Sequence, residues 1–478
     1  MEDTAYSIPR IETPYDDLMP VVTQPQARAY VDAIRVYLGL CAGTISLEDA
    51  AKASALIRAV LHSGFPLDIS LLPVNERLKS RLLENVNTLR KYGLASPDSV
   101  AAAVQFAFIQ DDSPMGPNEL SVLRALARDP LISIRQLAYK LKMRGSKIAR
   151  SIRNIEERNG VRFGCHLDAS AFGLDSYILF FRMRERKQRE LVQSALARFP
   201  FTKAVVTTAT SDTGYASLLF PSDRRALAML QSSTRKLTDG PLLSASLHKQ
   251  LAAGSASNVE FYDGRTWSCP EGLKDILEGG ENVAHIEGAP LLRCRGYEEH
   301  FDIMDLAVAA QLKSACRDGP EMIANRLKAR GFQVDSAQVR RSIEWLKKRK
   351  LILPTIHLGG VGLNAHFCFE IKCDPEIRRR VITAMTLVPA ATYYVSQQGV
   401  IVWIDVPSIK QVEYYRAFTD LRHLSGVESV NSMMTLTPAG SRSILDLVSR
   451  WEEGIGWTFD PAEFDLYQLV NESVQSGV

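Results

Sequence analysis

Apolar residues change their spacing along this chain, and the changes predict its elements. Between residues 118 and 158 they recur every three or four positions, the period of amphipathic helices. Ser133 and Ser146 stand just before two of these runs, where N-caps are expected. A tight turn that contains glycine then leads into a basic third helix, so residues 118–162 predict a helix-turn-helix. The three runs are NELSVLRALARD (118–129), SIRQLAYKL (133–141) and SKIARSIRNIEER (146–158).

Strand-like runs of aromatic and β-branched residues follow the third helix and alternate with helical runs. Their order predicts a β-α-β-β-α-β sandwich of the ferredoxin-like kind over residues 163–250. The segments are SYILFFRM (176–183), ERKQRELVQSALARFP (185–200), the hairpin at 202–222, DRRALAMLQSSTRKL (223–237) and LLSASLH (242–248).

The same succession of elements occurs a second time, about 190 positions later. Four landmarks keep the offset: Arg128 and Arg317, Ser151 and Ser342, Leu174 and Leu363, Trp267 and Trp457. Chance matches would scatter over many offsets, so the constant offset indicates a duplicated unit. Because a period of about 190 residues is too long for a solenoid, the two copies are tandem domains. The second copy predicts a helix-turn-helix at 301–353 and a ferredoxin-like domain at 354–440.

Capping residues support the second helix-turn-helix. Pro320 stands at the first turn of its second helix, where proline is favoured. Asp335 and Gln338 have the spacing of a capping box at the start of its third helix.

The remaining segments complete an α+β protein. We expect a disordered arm at 1–24, a helical N-terminal domain at 25–110, a connector at 251–300 and a C-terminal extension at 441–478. Hydrophobic residues make up 46% and charged residues 23% of the chain, as in ordinary globular proteins.

Membrane and secretory classes are not favoured. No apolar run reaches the ~18 residues of a membrane span, and the acidic, proline-broken start lacks the features of a signal peptide. Seven cysteines without a CxxC pair argue against a disulfide framework. We therefore expect a cytoplasmic protein.

Charge is concentrated although the net charge is only +3. Residues 135–153 contain four arginines and three lysines with no acid, and KKRK (347–350) is a second basic segment. Such stripes are typical of phosphate binding, although a solvated helix face gives the same pattern. The candidate DNA-binding residues are Arg144, Ser146, Lys147, Arg150, Ser151 and Arg153 in the first unit, and Arg340, Arg341, Lys347 and Lys348 in the second. The turn at 334–337 has lost its basic residues, so we expect the second set to contribute less.

The segment 119–161 resembles the DNA-binding part of the leucine-responsive/asparagine-regulator (Lrp/AsnC) family. The resemblance covers residues 118–250 well and 303–440 more weakly. It implies a sequence-specific transcription regulator in which Arg144, Lys147, Arg150 and Arg153 contact double-stranded DNA. It also implies a small-molecule effector and self-association through the sheet domains. The family's Gly-x-x-Asp pattern is absent from GYASLL (214–219) and GVIVWI (399–404), so amino-acid sensing is expected to be lost or altered.

Two tandem units allow one chain to imitate the family's dimer. The two sheet domains would then pair within the chain, and a homodimer is the alternative.

The sequence also bears on functions other than regulation. Sirohaem decarboxylases share the layout and use a His and an Arg or Tyr near the third strand. The corresponding segment 204–218 has no His or Arg, and 391–403 has tyrosines without His. A metal site at His366, Cys368 and Cys373 competes with a simple packed strand face. Phosphate-loop, GxSxG and HExxH motifs are absent. We expect no catalytic activity, no cofactor and no metal, while a protein-binding scaffold stays an alternative that salt-dependent DNA binding would separate.

Overall fold

The computed structural model describes residues 11–61, 76–91, 93, 100, 115–185, 188–208, 211–279, 289–297, 301–359, 361–434, 436–441 and 444–475. The fold is α+β, as predicted. The chain divides into two compact units, Met1–Gln110 with Pro438–Ser441, and Asp111–Thr437 with Arg442–Val478. Among the described residues, no helix combines the length and the apolar content that a membrane crossing needs.

The N-terminal unit is helical. Its helices pack around buried Ile34, Tyr37 and Val86. The helical prediction for 25–110 is confirmed where the structure describes it; residues 62–75, 92, 94–99 and 101–110 lie outside the described residues. The helices are α1 (Pro25–Ala42), α2 (Leu47–Leu61) and α3 (Glu76–Lys91).

The predicted disordered arm needs a correction over residues 11–24. Met19 is buried in the helical core. Asp16 accepts a hydrogen bond from Arg35 Nε on α1 at 3.1 Å. Ile11, Tyr15 and Val22 also pack against this core. The prolines and acidic residues of the segment concealed these contacts in the sequence. Residues 1–10 of the arm lie outside the described residues.

The first repeat has the predicted order of elements. Its helix-turn-helix is followed by a strand and then by a sheet module whose four strands are antiparallel in the order β5-β2-β4-β3. The module begins at Leu174, because residues 162–167 belong to a separate ribbon. The elements are α4 (Pro117–Arg128), α5 (Ile134–Leu141), α6 (Gly145–Asn159), β1 (Arg162–Leu167), β2 (Leu174–Met183), α7 (Arg189–Arg198), β3 (Thr202–Thr208), β4 (Thr213–Pro221), α8 (Arg224–Asp239) and β5 (Leu242–Lys249).

The predicted connector at 251–300 is more than a connector. Its strand β6 (Ala252–Ser257) joins the sheet of the second repeat. Its short helix α9 (Leu273–Glu278) places Ile276 and Leu277 in the core of that module. The segment also contains β7 (Leu292–Arg293), which pairs with β6.

The second repeat copies the first. Its sheet has the order β12-β9-β11-β10-β6-β7, so the last two strands come from the first repeat. Residues 352–357 again leave the module for the ribbon. The elements are α10 (Ile303–Leu312), α11 (Pro320–Ala329), α12 (Ser336–Lys348), β8 (Ile352–His357), β9 (Ala365–Cys373), α13 (Pro375–Ala384), β10 (Ala390–Val395), β11 (Gly399–Val406), α14 (Gln411–Thr419) and β12 (Val427–Met434).

The C-terminal extension returns to the first repeat. Phe464 stacks on Phe201 with ring centroids 4.6 Å apart. Ser233 on α8 donates its hydroxyl to the Phe464 carbonyl at 3.2 Å. The extension therefore completes the first module's core. Its elements are β13 (Leu436–Ser441), α15 (Leu445–Val448), β14 (Trp451–Glu452), β15 (Gly456–Trp457) and α16 (Leu466–Gln475).

The ribbon of β1 and β8 carries an approximate two-fold axis. Phe163 pairs with Ile356. Adding 190 to the first number and subtracting 190 from the second gives Leu353 and His166, which are also a pair. The repeat offset therefore maps the ribbon onto itself, as in a symmetric dimer. The two repeats therefore pair through this ribbon within one chain.

The tryptophans that revealed the repeat follow the same symmetry. Trp457 Nε1 donates to the carbonyl of Phe172 at 2.7 Å, and Trp267 Nε1 donates to the carbonyl of Val361. Each indole therefore reaches into the opposite repeat at positions that differ by the repeat length.

The two sheets also pack on each other. Ile178 and Phe180 of β2 share one buried cluster with Cys368, Tyr394 and Ile401 of the second module. This contact buries Cys368 fully, so the packed strand face accounts for it. None of the seven cysteines forms a disulfide within the described residues.

Candidate nucleic-acid interface

The third helix of the first unit separates an apolar from a basic face. Ile148, Ile152 and Ile155 are buried, as predicted. Leu137 of α5 is buried with them. The apolar spacing of the second run predicts that Ile134 is buried too, and this prediction is wrong, because its side chain is 42% exposed.

Seven cations line the exposed side of α5, the turn and residues 145–153 of α6. None of them forms an ion pair with a carboxylate in the part of the chain that the structure describes. On α4, by contrast, Arg124 and Arg128 both pair with Glu260, at 3.5 and 2.8 Å. Unpaired like charges held this close produce a strong positive potential. The seven are Arg135, Lys140, Lys142, Arg144, Lys147, Arg150 and Arg153, and we call them the basic face.

The residues that begin and end α5 and α6 set the position of the basic face. Ser133 and Gln136 form a capping box that starts α5, as predicted for Ser133. Lys142 ends α5 with φ of 52°, so the left-handed residue of the turn is a lysine and not Gly145. The N-cap of α6 is Arg144, which makes the predicted cap at Ser146 wrong; Ser146 lies exposed in the first turn.

The outward position predicted for Ser151 is also wrong. Its side chain is only 5% exposed. Ser151 lies three residues after Ile148 and four before Ile155, so helical geometry places it on the apolar stripe. Ser342 has the same spacing to Val339 and Leu346, and it is buried too. A buried serine is removed from the set of DNA-contacting side chains.

The second unit places its cations differently. Arg340, Arg341, Lys347 and Lys348 are all exposed on α12, behind the predicted Asp335–Gln338 capping box. Arg340 and Lys347, however, line a crevice of about 450 Å³ together with residues 131–134 of the first unit.

Arg317 connects the two helix-turn-helix units beside this crevice by hydrogen bonds. Arg317 Nη1 donates to the carbonyls of Pro130 and Ile132 at 2.5 and 3.1 Å. Because Arg340 and Lys347 line the crevice, two of the four predicted cations of the second unit face the first unit.

Sequence reasoning did not single out Tyr139 of α5. Its side chain is 89% exposed beside Arg135 and Lys140, and all three line a shallow pocket on α5. The signal was available, because Tyr139 lies two residues from buried Leu137 and is therefore off the apolar stripe.

A buried polar network lies where the two modules meet. His248 Nε2 lies 2.5 Å from Glu370 Oε1, and both side chains are within 1% of full burial. Ser396 Oγ lies 3.1 Å from His248 Nδ1, and Asn431 Nδ2 donates to Glu370 Oε2 at 2.6 Å. Burial opposes ionisation of Glu370, but the hydrogen bonds from His248 and Asn431 outweigh it and hold the pKa of Glu370 below its usual value.

The candidate metal ligands have other partners. His366 Nδ1 lies 2.6 Å from Asp405 Oδ1, and this hydrogen bond raises the pKa of His366. Within the described ranges, no three side chains of His, Cys, Asp or Glu come together as a metal ion requires.

The tyrosines of β10 bond to the main chain. Tyr394 donates its hydroxyl to the carbonyls of Ser176 and His248 at 2.7 and 3.1 Å, and Tyr393 donates to the carbonyl of Pro290.

Comparison with protein-family models and with curated proteins finds no match. Among solved structures, the siroheme decarboxylase NirDL aligns with 74% of this chain and 99% of its own, at a TM-score of 0.39 and 11% identity. The transcriptional regulator NMB0573 of Neisseria meningitidis, solved with L-Met, aligns with 28% of this chain and 88% of its own, at 0.23 and 15%. The protein PH0061 aligns with 28% and 91%, at 0.22 and 15%. Likeness this low carries no argument about function.

Proposed function

We propose that this chain is a sequence-specific, double-stranded-DNA-binding transcription regulator and that the first helix-turn-helix is its main reader. The observation that carries the proposal is the basic face: seven exposed cations on one helix-turn-helix that form no ion pair with any carboxylate the structure describes. The seven positive charges repel one another in the free protein, and this repulsion falls when phosphate oxygens of DNA neutralise the charges.

The third helix supplies the reading element. No acidic residue lies in the first turn of α6, and the helix dipole adds partial positive charge there. Phosphates bind well at such a terminus, while arginine and lysine further along reach guanine edges in the major groove. Lys147 and Arg150 are the positions best placed for bases, because they lie in the first two turns of the helix.

The other exposed groups anchor the backbone. Arg135, Tyr139 and Lys140 on α5 offer donors to phosphate oxygens beside the groove. In the second unit we assign Arg341 and Lys348 to backbone contact, since Arg340 and Lys347 line the crevice between the units.

The test starts with genome-wide mapping of bound DNA, which gives the site. Fluorescence anisotropy on that duplex then measures Kd over a salt series. For Arg150→Ala we expect a loss of about 1–3 kcal/mol if it reads a base, which is about 5- to 150-fold in Kd. The double variant Lys147→Ala/Arg150→Ala should also flatten the salt dependence, by about one unit of log–log slope for each lost phosphate contact.

Arg224→Ala/Arg225→Ala is the matched control. It also removes two exposed arginines that form no ion pair among the described residues, but from α8 of the sheet module. Equal affinity of both double variants would contradict the placement of α6 in the groove. Absence of salt-dependent binding to any duplex would favour the scaffold alternative.

A further inference from the structure

A groove runs between helix α14 and the edge strand β12 of the second sheet module. Its volume is about 670 Å³, and small-molecule pockets usually measure about 300–1,000 Å³. It lies on the helix side of the sheet, whereas the first module packs on the other side. We call it the α14 groove. The residues that decide its chemistry are Phe367, Val412, Tyr415, Arg416, Arg422 and Met434.

The floor of the groove is apolar and well supported. Met434 of β12 stands directly opposite Phe367 of β9, so both side chains lie on the same face of the sheet. Tyr415 reaches this face from α14, and its ring centroid lies 5.6 Å from that of Phe367. Its hydroxyl lies 2.9 Å from Ser432 Oγ on β12. The aromatic floor is therefore fixed from both the helix and the edge strand.

The walls of the groove leave apolar side chains in water. Val412 in the first turn of α14 is 56% exposed, and Met434 is 37% exposed. The main chain of Met434 is nonetheless fixed, because Thr208 of the first module donates its hydroxyl to the Met434 carbonyl. An apolar molecule in the groove would remove both side chains from water, which favours binding.

The first module is built differently at the corresponding corner. There Tyr177, which stands 190 positions before Phe367, pairs with Lys249 across the strands. Lys249 Nζ lies 6.0 Å from the centroid of the Tyr177 ring and 2.7 Å from Asp175 Oδ2. A lysine held by a carboxylate thus stands where the second module has its exposed methionine. Because the two repeats share a fold, the fold itself does not require an apolar groove.

Two arginines stand at the rim of the groove. Arg416 and Arg422 are exposed, and neither forms an ion pair with a carboxylate that the structure describes. Arg422 Nε donates to His423 Nε2 at 3.2 Å. Asp420 also lines the groove, so its ionised side chains leave one net positive charge. Guanidinium groups bind carboxylates through paired hydrogen bonds, so this rim favours a ligand with one carboxylate.

We propose that the α14 groove binds an amphipathic carboxylate, a molecule with an apolar chain or ring and one carboxylate group. The apolar part covers Phe367, Val412 and Met434, and the carboxylate meets Arg416 or Arg422. A neutral apolar molecule would leave the arginines unused, and a small polar anion would leave the apolar floor in water. The inference goes beyond DNA binding, because the groove belongs to a sheet module and not to a helix-turn-helix.

Octanoate, octanol, octylammonium and acetate are suitable probes. Octanol and octylammonium keep the chain and change the charge, whereas acetate keeps the carboxylate without the chain. Isothermal titration calorimetry and thermal unfolding are run on the full chain without DNA, at constant ionic strength. We expect octanoate to bind and to raise the melting temperature. Octylammonium should bind about tenfold more weakly than octanoate, and acetate should give no measurable heat.

The variant Val412→Asp tests the apolar wall. It places a carboxylate inside the groove, and the fold should be retained because an acid in the first turn of a helix is favourable. Octanoate affinity should fall by about tenfold or more. Ile409→Asp is the matched control, since Ile409 is 88% exposed on the 3-10 turn Ser408–Lys410 and lies outside the groove. Its affinity should stay within about twofold of the wild type.

The variant Arg416→Glu tests the charged rim. It turns the net charge of the groove negative, so octylammonium should now bind better than octanoate. Arg379→Glu is the control, because Arg379 is an exposed arginine of α13 that forms no ion pair among the described residues. It should keep the preference of the wild type for octanoate. A reversed preference is a readout that a merely structural role of Arg416 would not give.

Three results would overturn the proposal. One is the absence of octanoate binding at millimolar concentration, and another is equal octanoate affinity in Val412→Asp and Ile409→Asp. The third comes from light scattering on the same two variants. If the wild type has a two-chain mass that only Val412→Asp loses, the groove is the contact for a second copy of this chain. All three measurements are made without DNA, so they stand whether or not Lys147→Ala/Arg150→Ala impairs DNA binding.

Discussion

At the scale of single residues, the buried imidazole of His248 and the buried carboxylate of Glu370 connect the two sheet modules. His248 comes from the first module and Glu370 from the second, and neither side chain reaches water. Ionic groups in such a place add little net stability when paired, but removing one partner leaves the other uncompensated. The pair therefore fixes how the modules meet.

We expect His248→Ala to lower the free energy of unfolding by about 3–5 kcal/mol, because it strands the Glu370 carboxylate. Urea unfolding at pH 7 measures the change. His423→Ala, on an exposed 3-10 turn, should stay within about 0.5 kcal/mol. A similar effect of both variants would show that the pair does not hold the modules.

The same pair predicts a pH dependence. The pKa of Glu370 is lowered by folding, so its contribution is present above the unfolded-state pKa and lost as pH falls through the folded one. Repeating the urea series between about pH 5 and pH 3 should show a steeper loss in the wild type than in Glu370→Gln.

Residue-level predictions succeeded where helical spacing decides them. The cations of α6 are exposed because each lies off the stripe of Ile148, Ile152 and Ile155. Ser151 failed because its polarity was weighed above its spacing. The His248–Glu370 pair had no sequence signal, since its partners lie 122 residues apart and have no counterpart in the repeat.

At the scale of elements, strand β6 shows why part of the fold was not predictable. Its sequence AAGSAS lacks the β-branched and aromatic residues that favour strands. Tertiary contacts make this segment a strand instead, because its small side chains let β10 and the main chain at Pro290 come close to β6. A Cβ on Gly254 would lie 2.1 Å from the Pro290 carbonyl oxygen and 2.5 Å from the Tyr393 ring.

We therefore expect Gly254→Ala to detach β6 from the second sheet, with a loss of about 1–3 kcal/mol from overpacking. Hydrogen exchange of the β6 and β10 amides measures the detachment. Gly319→Ala, where a Cβ meets nothing within 4 Å and φ is −69°, is the control. Unchanged protection of β6 in Gly254→Ala would contradict this account.

The helices and module strands were predictable for the opposite reason. Their periodicity is local, and Ser133 and Asp335 cap helices as the sequence indicates. What was not local, such as the ribbon and the exchanged segments at 251–300 and 441–478, depends on partners in the other repeat.

On the scale of the whole molecule, the two repeats make the contacts of a dimer inside one chain. The ribbon and the exchanged tryptophan contacts follow the offset of about 190, and the two sheets face each other. The surfaces that a single-repeat protein would use for self-association are thereby occupied.

Size-exclusion chromatography with light scattering should accordingly give the mass of one chain over a wide dilution series. A two-chain mass that persists at the lowest concentration would support the homodimer alternative instead. Arg317→Ala removes the hydrogen bonds between the helix-turn-helix units and a cation–π contact with Phe163 of the ribbon, but it leaves the facing sheet modules intact and should leave the mass unchanged.

The returning C-terminal extension has a consequence for biosynthesis. Phe199, Phe201 and Phe220 of the first module are all packed against Phe464. That cover emerges about 240 residues after β4, and at ~5–20 residues per second a ribosome needs roughly 10–50 s to make it. For that interval the nascent first module carries an open aromatic surface. Its yield in a cell should therefore depend on chaperones during translation more than its final stability suggests.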